Sequence, residues 1–435
     1  MKAVRIGICG LGTVGSGTFN VLRDNADVIA ARAQAPLVVS VVGARRDNPL
    51  CDLSGTRVSR DIFEVAKDPD VDILVELIGG TTVAKELIET AILNGKHVVT
   101  ANKALIAEFG NEIFALAAKH GVTVRYEAAV AGGIPIIKAL REGLAGNRIE
   151  WLAGIINGTG NFILSEMHDH GREFSEVLAE AQALGYAEAD PTFDVEGIDA
   201  AHKLVILASL AFGIPLQFES VYTEGISKLT PQDMDYAEEL GYRIKHLGVA
   251  VQSDAGIELR VHPTLIPKDR LLANVNGVKN AVLVEGSAVG PTLYYGAGAG
   301  AAPTASAVVA DLVDLARDFS AGQKNRVPAL SFVNKALQDL PIVPMSDVVT
   351  PWYLRMEAED KPGVLSQVAR ILSEQGISIE ALIQKAPAAG AIRVPVIVLT
   401  NRAPQGKMDE AVRQIEALDS INSSISCIRV EMLDG

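Results

Sequence analysis

The sequence is poor in cysteine, in clustered positive charge and in long hydrophobic runs. Its three cysteines, Cys9, Cys51 and Cys427, lie far apart and form no CxxC or Cys/His pattern. Neither a disulfide framework nor structural zinc is therefore expected, and a reducing, cytoplasmic location is favoured. The formal net charge of −14, without any run of Lys or Arg, disfavours nucleic acids and anionic membranes as partners.

Long apolar segments are also missing. No stretch of about 20 unbroken apolar residues is present to span a bilayer, and the N-terminal residues lack the pattern of a secretory signal peptide. The chain nevertheless has 435 residues, of which 49% are hydrophobic and 21% charged. These proportions are typical of a globular protein with two or three domains and a large core.

A glycine-rich turn follows the first predicted strand, residues 3–9. The turn matches the motif GxGxxG and leads into a predicted helix. The motif residues expected to bind the cofactor are Gly10, Gly12, Thr13, Val14 and Gly15. These glycines permit a tight turn, a close approach of backbone to a pyrophosphate, and close packing of helix on strand. More strands are predicted at 37–44, 71–77 and 96–101. We therefore predict a Rossmann-type, doubly wound α/β sheet that binds NAD(P), with a chance glycine loop as the alternative.

The end of the second predicted strand bears on the choice of nucleotide. Arg45 and Arg46 stand where an NAD site usually has an acid for the ribose 2′-hydroxyl, and arginine suits a 2′-phosphate. NADP is therefore the predicted cofactor. The neighbouring Asp47 keeps NAD as an alternative, and both arginines could also be ordinary solvated loop charges.

The middle of the chain changes character. Strand-like segments at 148–158, 256–266, 281–289 and 292–296 predict an α+β substrate domain, which also serves dimerisation. A bare glycine series at 296–300 includes Gly298, and such a loop either lets a flat cofactor ring lie against backbone or acts as a hinge. A helix near 303–320 is expected to return to the first domain.

The last part of the chain predicts a separate small domain. Prolines punctuate a linker at 341–351, and the segment 352–435 then shows the order βαββαβ, which is typical of a ferredoxin-like fold. The resulting division is a nucleotide domain at 1–135, a catalytic and dimerisation domain at 136–340, the linker, and the C-terminal domain.

One lysine stands at the mouth of a strongly apolar predicted helix. Lys203 shares a helix face with Asp199, one turn earlier, and apolar residues follow it on nearly every face. A surface ion pair is the plain interpretation. The apolar surroundings instead indicate a partly desolvated ammonium group with a specific role. Lys103 is a second candidate, because it follows the predicted strand 96–101 at the edge of the sheet where ligands bind, and is well placed to face a nicotinamide. The alternative is an ordinary lysine at the start of a helix.

Four motifs together resemble one enzyme family. They are NGTGN at 157–161, EADPTFDVEGIDAAHK at 188–203, EAAVAGGIPI at 127–136 and DKPGVL at 360–365. The first three resemble homoserine dehydrogenase and the last resembles the ligand turn of an ACT domain. The resemblance covers essentially the whole chain, and without a preceding amino-acid kinase module it implies the monofunctional form. It implies NAD(P)H-dependent reduction of L-aspartate 4-semialdehyde to L-homoserine, in threonine, methionine and isoleucine biosynthesis.

The resemblance also implies roles for individual residues. Lys203 is the expected proton donor to the substrate oxygen, with Lys103 as a second lysine at that oxygen or in a proton relay. Asp199 and Asp194 are expected to hold Lys203. The expected substrate contacts are Glu188, which would meet the substrate ammonium group, and Asp194, Asn157 and Thr159. The alternative for Glu188 is a solvated loop acid.

A monovalent cation, sodium in the family, is implied beside the glycine pair that ends the strand predicted at 122–137. The matching positions are Glu127, Val130, Gly132 and Ile134. A carboxylate and turn carbonyls are suitable hard ligands.

The ACT resemblance implies feedback regulation. Asp360, Pro362 and Gly363 form the turn expected to receive a free amino acid, with L-threonine as the expected effector and a homodimer or homotetramer as the expected assembly. The alternative is that this domain serves only dimer contacts. Two other functions also remain open, namely a different ACT-bearing NAD(P) dehydrogenase and a non-catalytic NADP and amino-acid sensor.

Overall fold

The computed structural model describes residues 3–322, 326–385, 393–421 and 424–433. The strands over these residues are β1 (Val4–Cys9), β2 (Leu37–Gly43), β3 (Arg57–Ser59), β4 (Ile73–Glu76), β5 (His97–Thr100), β6 (Val124–Arg125), β7 (Ile149–Ile155), β8 (Tyr222–Thr223), β9 (Tyr242–Ser253), β10 (Gly256–Pro267), β11 (Lys279–Gly286), β12 (Gly290–Ala297), β13 (Val349–Glu359), β14 (Ile379–Gln384), β15 (Arg393–Pro404) and β16 (Ser426–Val430). The sequence also predicts a strand at 392–400, and its first residue, Ile392, lies outside the described residues.

The helices are α1 (Thr13–Asp24), α2 (Ala26–Ala33), α3 (Ile62–Lys67), α4 (Thr82–Leu93), α5 (Lys103–His120), α6 (Ile136–Lys138), α7 (Gly158–His170), α8 (Phe174–Ala183), α9 (Thr192–Val195), α10 (Ile198–Phe212), α11 (Pro231–Glu239), α12 (Ala301–Ser320), α13 (Val364–Glu374) and α14 (Gln405–Glu416). Within the described ranges, no helix combines the length and apolar character needed to cross a membrane.

The chain forms two compact units, and each unit is built from three separate segments of the chain. Unit 1 comprises Met1–Gly158, Asp199–Val221 and Val278–Leu340. Unit 2 comprises Thr159–Ile198, Tyr222–Gly277 and Pro341–Gly435.

Unit 1 contains the predicted Rossmann-type sheet. Its strand order is β3-β2-β1-β4-β5-β6, and all neighbouring strands are parallel. Strand β4 is buried along its whole length, as expected of a parallel strand covered on both faces. Helix α12 packs its apolar face against α1 and β1 in one core cluster. The predicted doubly wound sheet is therefore confirmed.

The strand predicted at 122–137 is much shorter in the structure. Only Val124–Arg125 pairs with β5, and a turn and short helices follow. A 3-10 helix, Glu127–Ala129, replaces the predicted extended backbone, and Ala131 and Gly132 then have positive φ angles of 53° and 46°, which no extended strand has. Three antiparallel strands, in the order β7-β11-β12, complete the β-structure of unit 1.

Unit 2 contains the predicted C-terminal ferredoxin-like domain. Its βαββαβ elements run from β13 to β16, and the strand order β16-β13-β15-β14 confirms the prediction. The sequence did not indicate that this sheet continues. Strand β16 also pairs in parallel with β10, at Thr264 with Arg429 and Leu265 with Val430. The C-terminal domain and the β9-β10 hairpin therefore share one sheet.

Arg429 strengthens this connection. Its side chain is 2% exposed and donates through Nη1 to Glu224 Oε2 at 2.7 Å and through Nη2 to Tyr222 OH at 3.2 Å. Its Nε also donates to Oε1 of Gln405, the first residue of α14, at 2.9 Å, and the guanidinium lies 4.9 Å from the centre of the Trp352 ring. Removal of this side chain would leave the buried Gln405 side-chain oxygen without this donor and would break its bonds to the partly buried Glu224 and Tyr222.

We expect Arg429→Ala to lower the free energy of unfolding of unit 2 by about 2–3 kcal/mol, because buried bonds to a charged group are lost. The measurement is urea unfolding followed by Trp352 fluorescence in a Trp151→Phe background, since the chain has only these 2 tryptophans. Arg413→Ala is the control, because its side chain is 72% exposed and pairs within its own helix. Equal midpoints for the two variants would contradict a structural role for Arg429.

Candidate active site

A cavity of about 980 Å³ lies at the carboxyl ends of the strands of the Rossmann-type sheet. Gly10 and Gly12 line it, and Thr13 and Val14 open α1 directly behind them. Gly10 has φ of 102°, and a Cβ there would lie 2.5 Å from the Leu77 carbonyl oxygen. The predicted glycine turn therefore has the shape that admits a pyrophosphate.

The start of helix α1 also packs closely against the glycine turn at Gly15, as the motif predicts. A Cβ at Gly15 would lie 2.0 Å from the Gly10 carbonyl oxygen, so no larger residue fits between turn and helix. The third glycine of the motif thus fixes how α1 begins.

Three arginines line the same cavity. Arg45 and Arg46 were predicted from the sequence, whereas Arg60 was not. Arg60 donates through Nη2 to Asp47 Oδ1 at 2.8 Å and through Nη1 to the Ala44 carbonyl at 2.9 Å. Asp47, the residue that kept NAD as an alternative, is therefore paired with a guanidinium. This edge of the cavity carries positive charge, which suits a phosphate.

A second group of charged residues in unit 1 is centred on Asp199. Its Oδ1 lies 2.8 Å from Lys103 Nζ, and its Oδ2 accepts from Lys203 Nζ at 2.6 Å. Asn157 Nδ2 also donates to Oδ2 at 2.9 Å, and Lys203 Nζ donates to the Ile156 carbonyl at 2.6 Å. The structure thus brings together four side chains that the sequence analysis selected separately.

Burial distinguishes this group from a surface ion pair. The side chains of Asp199 and Lys203 are 4% and 11% exposed, whereas that of Lys103 is 36% exposed. Burial by itself would raise the pKa of the Asp199 carboxyl, but the ammonium groups of Lys203 and Lys103 outweigh it and hold that pKa well below its usual range. The alternative of a solvated pair is therefore wrong for Lys203.

Local structure explains how the residues meet. Asp199 and Lys203 lie one turn apart on α10, so they share a face. Lys103 is the first residue of α5, directly after β5, and the Asn102 side chain caps that helix by accepting from Leu105 N at 3.1 Å. Asn157 lies between β7 and α7.

His202 is a neighbour of this group that the sequence analysis did not select. Its ring stacks on Phe218 with 4.2 Å between the ring centres, and its Nε2 lies 3.3 Å from Glu108 Oε1. Burial lowers its pKa to about 4, despite the opposing field of Asp199. The ring is therefore neutral near pH 7. Its position directly before Lys203 was the only signal available in the sequence.

The other predicted substrate residues belong to unit 2. Thr159 is buried in α7 and donates through Oγ1 to the Tyr186 carbonyl at 2.6 Å. Asp194 is half-buried in the short helix α9, and Glu188 is exposed, in the loop that leads to that helix. The Glu188 carbonyl accepts from Gln182 Nε2 at 3.0 Å.

The glycine loop at 296–300 packs against the turn predicted to bind a cation. A Cβ on Gly132 would lie 2.4 Å from the Gly298 carbonyl oxygen, and a Cβ on Gly298 would lie 1.4 Å from Asn280 Oδ1. The Gly133 N–H donates to the Ala297 carbonyl at 3.0 Å. Gly298 is thus required for packing and does not line the large cavity described above.

The predicted cation residues were tested for their fit to a metal. No N–H of the described backbone donates to the carbonyl oxygens of Val130 and Gly132, which are therefore available as ligands. The Ile134 carbonyl already accepts from Ile136 N at 2.8 Å. The Glu127 carboxylate accepts from the N–H groups of Ile137 and Lys138, at the start of α6.

The charges around this turn are mixed, because the carboxyl groups of Glu127 and Asp311 lie near the Arg141 guanidinium. Asp311 Oδ2 accepts from Glu127 N at 2.8 Å, and both acids are buried. Burial, with the neighbouring Asp311 carboxylate as a second cause, raises the pKa of Glu127. Among the described side chains no cluster of three acid, His or Cys ligands exists, so a cation here would depend on carbonyl oxygens. The residues fit a monovalent cation in that way.

The predicted effector turn lines a smaller cavity in unit 2. Its volume is about 340 Å³, and its lining includes Asp360, Pro362 and Gly363. Gly363 immediately precedes α13 with φ of 95°, and Gln384 Nε2 donates to Asp360 Oδ1 at 3.0 Å. The size of this cavity suits a free amino acid.

Three protein-family models match this chain in consecutive segments. The model described as the homoserine dehydrogenase NAD-binding domain matches residues 10–127, and the homoserine dehydrogenase model matches residues 135–313. The ACT domain model matches residues 352–417.

Similar proteins extend the match to the full length. The homoserine dehydrogenase of Pseudomonas aeruginosa is 63% identical, with 100% of both chains covered. The crystal structure of a homoserine dehydrogenase from Thiobacillus denitrificans has a TM-score of 0.95 and 58% identity, over 100% of this chain and 99% of that one. A hyperthermophilic archaeal homoserine dehydrogenase in complex with NADPH has a TM-score of 0.61 and 26% identity, over 72% of this chain and 97% of that one.

These matches separate the hypotheses left open by the sequence. Homoserine dehydrogenases that are 63% and 55% identical over the full length of this chain favour that enzyme over both alternatives, which were a different ACT-bearing dehydrogenase and a non-catalytic sensor. The chain therefore belongs to the homoserine dehydrogenase family of NAD(P)-dependent oxidoreductases.

Proposed function

We propose that this chain interconverts L-aspartate 4-semialdehyde and L-homoserine with Lys203 as the proton donor. The observation that carries the proposal is the position of Asp199, which holds the ammonium groups of Lys203 and Lys103 on its two oxygen atoms. Two positive charges at one place suit a substrate oxygen that becomes negative during reduction.

Reduction of the aldehyde requires a hydride at carbon and a proton at oxygen, and bound NADPH supplies the hydride. The developing alkoxide needs a nearby acid, and Lys203 Nζ serves as that acid. Lys103 is the more exposed of the two lysines and adds a second positive charge or relays a proton. Asp199 orients both groups, and Asn157 fixes Asp199. In the reverse direction, Lys203 accepts the hydroxyl proton of homoserine.

Substrate recognition is assigned to Glu188, Thr159, Asn157 and Asp194. Glu188 is exposed and carries a charge opposite to that of the substrate ammonium group. Thr159 and Asn157 belong to the NGTGN segment, and Asp194 belongs to the acidic segment before α10. We assign Asp194 to the support of Lys203.

NADP is the proposed cofactor. Arg45, Arg46 and Arg60 line the cavity, and Arg60 is paired with Asp47, the acid that kept NAD as an alternative. Guanidinium groups bind phosphate oxygens with matched geometry, so they favour a 2′-phosphate.

A monovalent cation, sodium in this proposal, is assigned to the turn that contacts the Gly298 loop. The carbonyl oxygens of Val130 and Gly132 would hold it, and Glu127 would supply negative charge nearby. The ion would stiffen the turn. Ile134 is the weakest candidate among the predicted ligands, because its carbonyl already accepts a backbone bond.

The ACT domain is assigned to feedback control by L-threonine, in the pathway to threonine, methionine and isoleucine. The cavity at Asp360, Pro362 and Gly363 supports this assignment by its size and polar lining. The domain boundaries at residues 135, 340 and 352, and a homodimeric or homotetrameric assembly, remain predictions.

We expect Lys203→Met to lower kcat by about 100-fold or more, because the acid for the alkoxide is lost. The dissociation constant for NADPH, measured by fluorescence titration, should stay within about 2-fold, because this lysine does not line the nucleotide cavity. Lys96→Met is the control, since Lys96 is 6% exposed and lies outside the site. Near-normal turnover of Lys203→Met would refute its assigned role.

The double variant Arg45→Ala, Arg46→Ala should raise KM for NADPH about 10-fold or more, because charge-assisted bonds to a phosphate are lost. KM for NADH should change little. Arg57→Ala is the control, because Arg57 is in the same domain but does not line the cavity. Equal effects on both nucleotides would show that the two arginines do not contact the 2′-phosphate.

We expect L-threonine to inhibit the full-length enzyme, and the double variant Asp360→Ala, Gln384→Ala to need about 10-fold more threonine for half inhibition. Both residues line the effector cavity, so the variant removes polar contacts to the ligand. Arg370→Ala is the control, because it lies on α13 outside the cavity and is 69% exposed.

Deletion of the ACT domain is not a suitable test of threonine inhibition. Strand β16 of this domain pairs with β10, so the deletion would leave β10 as an unpaired edge of the sheet. If threonine, isoleucine and methionine all leave the full-length enzyme unaffected, the domain serves dimer contacts instead.

A further inference from the structure

Glu76 is a fully buried acid at the carboxyl end of β4, with 0% exposure. Among the described residues, no Lys, Arg or His nitrogen lies within ion-pair distance of its carboxylate. An ionised carboxylate without a cation is costly to bury unless donors surround it. A buried Glu76 at the edge of the sheet where ligands bind therefore needs a specific explanation.

Two backbone donors satisfy one oxygen of this carboxylate. Oε1 accepts from Ile78 N at 2.9 Å and from Gly79 N at 3.1 Å. Ile78 and Gly79 line the nucleotide cavity together with Leu77. Gly79 has φ of 72°, so the loop turns sharply at this point. One half of the Glu76 carboxylate thus fixes the backbone on one wall of the cavity.

The other oxygen binds the end of β5. Oε2 accepts from Thr100 Oγ1 at 2.6 Å, and the same Thr100 hydroxyl accepts from Asn102 N at 3.0 Å. Asn102 in turn donates through Nδ2 to the Gly80 carbonyl at 2.7 Å and caps α5. Lys103 is the next residue, the first of that helix. These bonds therefore fix the backbone from which Lys103 extends.

We propose that Glu76 is a positioning residue that acts through Thr100 to place Lys103 against Asp199. The proposal rests on the proposed function of Lys103. The Thr100 hydroxyl is the link in this arrangement, because it donates to Glu76 and accepts from Asn102 at once. A carboxylate is required at residue 76, since one side chain must accept from two N–H groups and a hydroxyl together.

A role in stability alone predicts a different outcome. If the bonds only hold the fold together, their loss lowers the melting temperature, and the kinetic constants of the molecules that remain folded stay unchanged. If the bonds position Lys103, kcat falls while KM for NADPH stays nearly constant. Misplacement by about 1 Å far from the chemistry can cost 100-fold in rate.

The test uses full-length enzyme, four single variants at residues 76, 100 and 18, one double variant, and Lys103→Met. Thr100→Val removes the hydroxyl at nearly constant volume, and Thr100→Ser retains it. Glu76→Gln can still accept from Ile78 and Gly79 but presents an amide N–H₂ toward Thr100. Thr18→Val is the matched control, because Thr18 is also 0% exposed in unit 1 and its hydroxyl has no hydrogen-bond partner among the residues that the structure describes. Melting temperature, kcat, and KM for NADPH and for aspartate semialdehyde are measured for each.

We expect Thr100→Val and Glu76→Gln each to lower kcat about 10- to 100-fold, with KM for NADPH within about 2-fold of wild type. Thr100→Ser should recover most of kcat, and Thr18→Val should keep it. The double variant Glu76→Gln, Thr100→Val should be no slower than the slower single variant, because both remove the same hydrogen bond.

Two results would overturn the proposal. One is a kcat for Thr100→Val equal to that for Thr18→Val, and the other is additive losses in the double variant. Lys103→Met separates this proposal from the proposed function. An inactive Lys103→Met enzyme together with a normal Thr100→Val enzyme refutes only the positioning role, whereas an active Lys103→Met enzyme refutes the role of the lysine itself.

Discussion

One carboxylate that pairs with two ammonium groups is the interaction on which the site depends. Each charge is costly to remove from water, and only close opposite charges and hydrogen bonds offset that cost. Asp199 offers both oxygens, so Lys203 and Lys103 can lie in one small region without mutual repulsion dominating. The low pKa of Asp199 means that this arrangement survives moderate acidification. In the proposed mechanism, a substrate oxygen therefore meets two lysines that are already in place.

The supports of this carboxylate come from segments distant in sequence. Asn157 and the Ile156 carbonyl follow β7, Lys103 follows β5, and Asp199 lies on α10. Two strand ends supply these positions, since Lys103 follows β5 of the parallel sheet and Asn157 follows β7, which pairs in antiparallel fashion with β11. Glu76 lies at the same edge of the parallel sheet as Lys103, where it ties a wall of the nucleotide cavity to the start of α5.

The features that could be predicted from the sequence are those that depend on residues close together in the chain. The glycine turn at 10–15, the βαββαβ order and the shared helix face of Asp199 and Lys203 each depend on neighbours in the chain. Contacts between distant segments could not be predicted. Arg60 with Asp47, Lys103 with Asp199, and Gly132 against Gly298 are formed only when the tertiary fold brings separate loops together.

The position of the ACT domain constrains how any effector could act. Residues 341–343 are held by bonds to Ile257, so the predicted linker does not leave the domain free. Strand β13, which leads to the Asp360 turn, pairs with β16, and β16 pairs with β10. A change at the turn therefore reaches β10 through strand ladders and the buried Arg429 contacts. Small shifts of a packed sheet, rather than movement of a tethered domain, are the form of coupling that this geometry allows.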